Sequence, residues 1–311
     1  MSLEKAAEFL LGHDNYHILT HANPDGDTLG SGYALCLALQ QLGKNAGVIN
    51  TELPKKYLYL TDGVREQDFE AQTVVSVDVA DEKLLDRNRP RYEGKIDLCI
   101  DHHSINRVNA PLKHVDSEAA ANCEILYRLF PIMGVTMTKQ IADCLYTGVS
   151  TDTGCFRYDN TTADTLRIAA DLLEAGAQHA YINKVMFETK SKKQLALEQA
   201  VCDTITYYFD DRVAMIAATL EMRRKLGVAD DELEGLASIP RRIEGVLVGI
   251  TLREREEGGF KVSVRSDSHI NAAQLCAKFG GGGHAAAAGC TVKGSLEEAK
   301  QKLADALEEF L

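Results

Sequence analysis

The chain has 311 residues, 45% hydrophobic and 26% charged, enough to bury the cores of one large domain or two ordinary ones. Its formal net charge of −12 argues against a long nucleic-acid footprint, which needs a broad basic surface, but does not exclude a phosphate ligand held through bound cations. No run approaches the ~18 apolar residues of a membrane span, and eight scattered cysteines without a Cys-x-x-Cys pair read as reduced, mostly buried thiols of a cytoplasmic protein.

Residues 1–14 set Glu4, Lys5 and Glu8 around a Phe-Leu-Leu run, which reads as an amphipathic helix and not as a secretory signal. A short strand is expected over 15–20, apolar residues at helical spacing over 28–42, and a second short strand over 46–50. The runs 73–77 (T-V-V-S-V) and 96–100 (I-D-L-C-I) are compact, as in buried parallel strands. Helices follow over 117–129, 138–148 and 161–175, the last opening on a Thr cap and stopping at Gly176. This alternation predicts an α/β domain over 1–190, a parallel sheet with helices on both faces.

Past residue 190 the rhythm changes. A helical linker is expected over 191–202, then a smaller α+β domain with a mixed sheet over 203–311. Its hairpins turn at Asp210-Asp211 and at Glu256-Glu257-Gly258, and it ends in a helix over 271–279, a glycine run, a strand over 290–292 and a helix over 295–310.

The polar residues at strand ends carry the chemistry. His21, Asp25 and Asp27 follow the first strand in a Pro/Gly-containing turn; Asp78 follows the run 73–77, and Asp101-His102-His103 follows the run 96–100. Asp152 is expected in the loop after the helix over 138–148. Open α/β sheets gather ligands at the carboxyl ends of their strands, so these donors converge on one crevice. A carboxylate majority with imidazole favours Mn²⁺ or Mg²⁺, and acids this close repel one another unless cations neutralise them. Asp81, ahead of Glu-Lys-Leu-Leu, reads as an N-cap instead, and Ser31 as a helix-start residue.

Taken in order, these four segments resemble the motifs of the DHH phosphoesterase superfamily, named for the triplet Asp101-His102-His103. The resemblance implies two divalent metal ions, Mn²⁺ ahead of Mg²⁺. One would be held by His21, Asp25 and Asp78, the other by Asp27, Asp78, His102 and Asp152, with Asp78 bridging. His103 would contact the substrate or move a proton, and Asp101 would orient the histidine loop. Such a metal pair, about 3.5–4 Å apart, polarises phosphoryl oxygens and acidifies a shared water for in-line attack. Asp78 and His103 are therefore the expected catalytic residues.

Downstream, Arg265-Ser266 and the segment Gly280 to Gly283 with His284 resemble the DHHA1 domain. Arg265 offers forked donors suited to phosphate, and glycines let backbone amides approach it. The resemblance implies that Arg265, Ser266, Gly281, Gly282, Gly283, His284 and His103 bind substrate. A short DHH–DHHA1 chain is similar to the NrnA-type oligoribonucleases, which act on very short RNAs and on 3′-phosphoadenosine 5′-phosphate (pAp). The expected partners are short RNA or DNA oligonucleotides and pAp, with no membrane and a homodimer as the assembly considered. The alternatives are a phosphodiesterase for linear dinucleotides such as pApA, and a nucleotide-binding regulator without catalysis, which the complete ligand motifs oppose.

Overall fold

The structure, a computed structural model, describes residues 1–51, 53–233, 235–267, 270–283 and 285–311, with backbone alone at 230 and 231. The chain divides into two compact units, Met1–Thr189 and Lys190–Leu311.

The first unit begins with α1 (Leu3–Gly12), β1 (Tyr16–Leu19), α2 (Gly26–Gln41), β2 (Ala46–Ile49) and β3 (Thr73–Val77). It continues through α3 (Arg89–Tyr92), β4 (Leu98–Asp101), β5 (Leu112–Val115), α4 (Asn122–Met133), α5 (Lys139–Asp152), α6 (Ala163–Glu174) and α7 (His179–Asn183). The sheet has the order β2-β1-β3-β4-β5, every pair parallel. All residues of β1, β3 and β4 are buried, and their side chains alternate between two cores. Ile18, Val75, Val77, Leu98 and Ile100 face the large core built with α1, α2, α4 and α5. Leu19, Val74 and Cys99 face a smaller one closed by Leu85, Tyr92 and Val108, so one-turn and 3₁₀ segments cover that side.

Small residues let α2 lie close against α5. A Cβ at Gly26 would run into the Thr151 side chain, and one at Gly30 into the Cys144 carbonyl. The α5 helix extends to Asp152, so this residue, expected in a loop, occupies the last helical turn. α4 starts at Asn122 instead of 117 and runs through Pro131 to a left-handed Gly134 cap. β5 has no apolar run to announce it: an edge strand pairs on one side only, and Lys113 and His114 are partly exposed.

The second unit contains α8 (Lys192–Cys202), β6 (Thr206–Tyr208), β7 (Val213–Ala218), α9 (Leu220–Leu226), β8 (Val248–Glu254) and β9 (Phe260–Ser266). α10 (Ala272–Ala277), β10 (Gly282–Gly283), β11 (Ala287–Val292) and α11 (Leu296–Leu307) complete it. Its sheet runs β10-β11-β9-β8-β7-β6 and is mixed: β7 and β8 are parallel, the other pairs antiparallel. α10 and α11 cover one face; on the other, α8 buries Leu197 and Val201 against Ile216 and Ala218 of β7. No helix among the described residues is long and apolar enough to cross a membrane.

Candidate metal centre

Three adjacent strands, β1, β3 and β4, end at one edge of the first sheet, and the chain leaves each through a donor residue. Asp25 is the N-cap of α2. Its Oδ1 accepts from the Asp27 and Thr28 amides, both at 3.1 Å, which leaves Oδ2 beside His21 Nε2 at 3.6 Å. The His21 amide in turn donates to Thr28 Oγ1 (3.3 Å), and that hydroxyl donates to the Val77 carbonyl (3.3 Å), tying the end of β1 to the end of β3.

Asp27 is fully buried. Its carboxylate accepts from the first two amides of α4, Asn122 N at 2.6 Å and Cys123 N at 3.0 Å. The sequential N-cap, Ala121, has no capping side chain, so Asp27 caps α4 from a distant part of the chain. This explains the late start of α4.

Asp78 stands where the pieces meet. Its Oδ2 is 3.8 Å from His21 Nε2, and its Oδ1 is 3.4 Å from His102 Nε2 and 3.6 Å from His103 Nδ1. His102 Nε2 also lies 3.3 Å from Asp152 Oδ2 and 3.8 Å from Asp27 Oδ2. The other ring nitrogen, Nδ1, lies 3.2 Å from the Ala119 carbonyl, which turns Nε2 toward the acids. His103 Nδ1 lies 2.8 Å from Asp101 Oδ1, and Asp101 Oδ2 accepts from Asn106 Nδ2 at 2.7 Å. Among the described residues, donor atoms within 4.8 Å of one another form three groups: His21, Asp25 and Asp78; Asp27, His102 and Asp152; and Asp78, His102 and His103. Asp78 and His102 each belong to two of them.

The electrostatics are those of a cation site. Burial, reinforced by Asp27, Asp25 and Asp101, pushes the Asp78 carboxyl well above the usual range. Asp152 is raised well above it too, by burial and by Asp27, Asp25 and Asp78, against the opposing pull of His102. Burial disfavours the charged ring of His102, yet the neighbouring carboxylates outweigh it and raise the pKa. Asp78 Oδ1, buried, has no hydrogen-bond partner. Divalent cations fit this oxygen-rich set: they supply the partner that Asp78 lacks and remove the repulsion among the acids.

The residues expected to bind substrate lie in the second unit, apart from His103. Arg265 of β9 pairs with Ala287 of β11, and β11 pairs with the Gly282–Gly283 edge strand, so Arg265 and the glycines stand about 10 Å apart across two strand spacings. The Ser266 hydroxyl is buried and directed at the Ile270 (2.6 Å) and Ala285 (3.1 Å) carbonyls, so it ties the end of β9 to both. Packing demands glycine at Gly281, where a Cβ would meet Gly289 and Cys290. Gly283 needs it too, with φ of +145° and the Ala287 carbonyl in the way, whereas Gly282 has open space around it. His284 lies outside the described residues.

Four contributors to the centre lie outside the motifs: the amides of Asn122 and Cys123, the Ala119 carbonyl, and Asn106. Only Asn106, three residues beyond His103, sits close enough in sequence to have been suspected.

A parallel sheet with this acid and histidine edge defines a metal-dependent phosphoesterase site. Residues 15–149 match the DHH family, N-terminal domain, and residues 212–311 match the DHHA1 domain. The chain therefore belongs to the DHH family of phosphoesterases, hydrolases that depend on divalent metal ions. It is similar to the bifunctional oligoribonuclease and PAP phosphatase NrnA of Thermus thermophilus, 35% identical over 95% of this chain and 90% of that protein. The Bacillus subtilis protein of the same name is 27% identical over 94% of each chain. Among solved structures, an exopolyphosphatase-related protein from Bacteroides fragilis superposes with a TM-score of 0.90 at 27% identity, covering 99% of this chain and 96% of that one.

Proposed function

We propose that this chain hydrolyses short oligonucleotides to mononucleotides and converts pAp to AMP, using two divalent metal ions. The observation that carries this is that the two oxygens of Asp78 face different histidines, Oδ2 toward His21 and Oδ1 toward His102. In this reading one ion is held by His21, Asp25 and Asp78 and the other by Asp27, Asp78, His102 and Asp152. Mn²⁺ suits the oxygen majority, with Mg²⁺ second. Bound there, the ions supply Lewis acidity toward the phosphoryl oxygens and lower the pKa of water. The chain's own residues do the rest. Asp101 and Asn106 fix the ring of His103, and histidine is the side chain suited to deliver a proton to a leaving oxygen near neutral pH. Arg265 grips a phosphate with its planar fork. The net charge of −12 supports short substrates over long ones.

The test is an activity panel with Mn²⁺ on pAp, pApA, RNA of two to five nucleotides, and pyrophosphate. The expected result is AMP from pAp, mononucleotides from RNA and pApA, and no turnover of pyrophosphate. Chelation should abolish these reactions and Mn²⁺ restore them. No release of phosphate or mononucleotide with Mn²⁺ present would sink the proposal. Arg265→Ala is expected to raise KM about tenfold, with kcat within about twofold of wild type. An unchanged KM would take Arg265 out of phosphate binding.

A further inference from the structure

The loop after His103 carries an apolar group that the metal chemistry does not use. Asn106 pins this loop: its Nδ2 donates to the Val79 carbonyl (3.0 Å) and to Asp101 Oδ2 (2.7 Å), and its Oδ1 accepts from the Val108 amide (3.1 Å). The Arg107 amide adds a bond to the Ala80 carbonyl at 2.7 Å. Val108 points inward and is 1% exposed, whereas Ile105 is 66% exposed, more than any other large apolar side chain among the described residues. The pinned backbone gives Ile105 no route into the core. A second exposed aliphatic residue, Leu84, stands on a segment held to the same edge, because its carbonyl accepts from the Ala22 amide beside His21 (2.7 Å). Both side chains are thus displayed on backbone bonded to the loops that carry the metal donors.

We propose that Ile105, with Leu84 beside the opposite donor loop, seats a nucleobase of the substrate; this rests on the nucleotide substrate proposed above. Ile105 is two residues from His103, a span of at most about 7 Å. A nucleotide whose phosphate lies at the acids must place its sugar and base against the wall of the site. The face of a base is flat and weakly hydrated, and covering it with an aliphatic side chain removes apolar surface from water on both partners. Neither residue carries a donor or acceptor on its side chain, so the seat accepts any base. That fits an enzyme that degrades short RNA of mixed sequence.

The test compares Ile105→Ser with wild type, both loaded with Mn²⁺, by calorimetric titration with AMP and with ribose 5-phosphate, which lacks the base. Ile105→Ser is expected to weaken AMP binding about fivefold and to leave ribose 5-phosphate unchanged; Ile105→Phe should restore or tighten AMP binding. Unchanged AMP affinity in Ile105→Ser overturns the base seat, and so does an equal loss for both ligands, which marks a distorted loop. If wild type turns over pAp and RNA while either of those results is obtained, the base seat alone fails. Absence of turnover in the panel above marks failure of the functional reading itself.

Discussion

Asp78→Ala is expected to abolish phosphoester hydrolysis, with a loss on the order of a thousandfold or more in kcat/KM. Its Oδ2 faces His21 and its Oδ1 faces His102, one residue from each proposed set, so in this reading no other single substitution touches both proposed ions. The same position predicts an opposite effect on stability in the metal-free protein. There Asp78 is a buried acid facing Asp27, Asp25 and Asp101, and its charge opposes folding. Asp78→Asn tests this best: asparagine keeps the volume, drops the charge and tolerates the left-handed backbone at this position, where φ is +56°. Chelated Asp78→Asn should melt above chelated wild type. Addition of Mn²⁺ should raise the wild-type midpoint strongly and the variant's far less, since an ion at a hundredfold excess over its Kd adds about 2.7 kcal/mol. A variant retaining more than about a tenth of wild-type activity would remove Asp78 from the bridging role.

Gly148→Ala carries the second largest expected effect, through packing. A Cβ there would run into the Cys123 side chain and stand 2.5 Å from Asp27 Oδ1. Neither neighbour can yield cheaply, because Asp27 is held by the Asn122 and Cys123 amides and Cys123 is fully buried. Overpacking of this kind costs about 1–3 kcal/mol, and a midpoint moves roughly 2–4 °C per kcal/mol in a unit of this size. Activity should fall further than stability suggests, because a proposed metal ligand is displaced and a shift of about 1 Å can cost a hundredfold. Adding Cys123→Ala relieves the contact with sulfur but not the contact with Asp27. The double variant should therefore recover part of the midpoint and little of the activity. Wild-type melting and activity in Gly148→Ala would refute the coupling.

The donors of the centre were legible because each follows a strand or opens a helix whose apolar pattern is plain. His21 to Asp27, Asp78 and Asp101 to His103 stand at the carboxyl ends of β1, β3 and β4, and a parallel sheet brings such ends together. Asp81 was legible for a local reason: it caps the turn that follows it, accepting from the Lys83 amide at 2.9 Å. The partners of those donors were not legible. Asp27 meets the start of α4 ninety-five residues away, and no local pattern marks Ala119 as the carbonyl that turns His102. The reason for two of the glycines was not legible either: Gly282 and Gly283 form an edge strand, and the packing of β11 leaves no room for a Cβ at Gly281 or Gly283.

By itself the sequence determined the candidate donors and their order, the two-domain α/β and α+β organisation, and the family, because these depend on residue type and local period. The tertiary structure alone decided what holds them in place: the Ala119 carbonyl behind His102, Asp27 bound to a helix it does not belong to, and Asp152 in a helical turn instead of a loop. It also decided that Ile105 stands outside the core while Val108 lies within it. These outcomes turn on distances between segments remote in sequence, and such distances are set by how helices and strands pack, which no local pattern encodes.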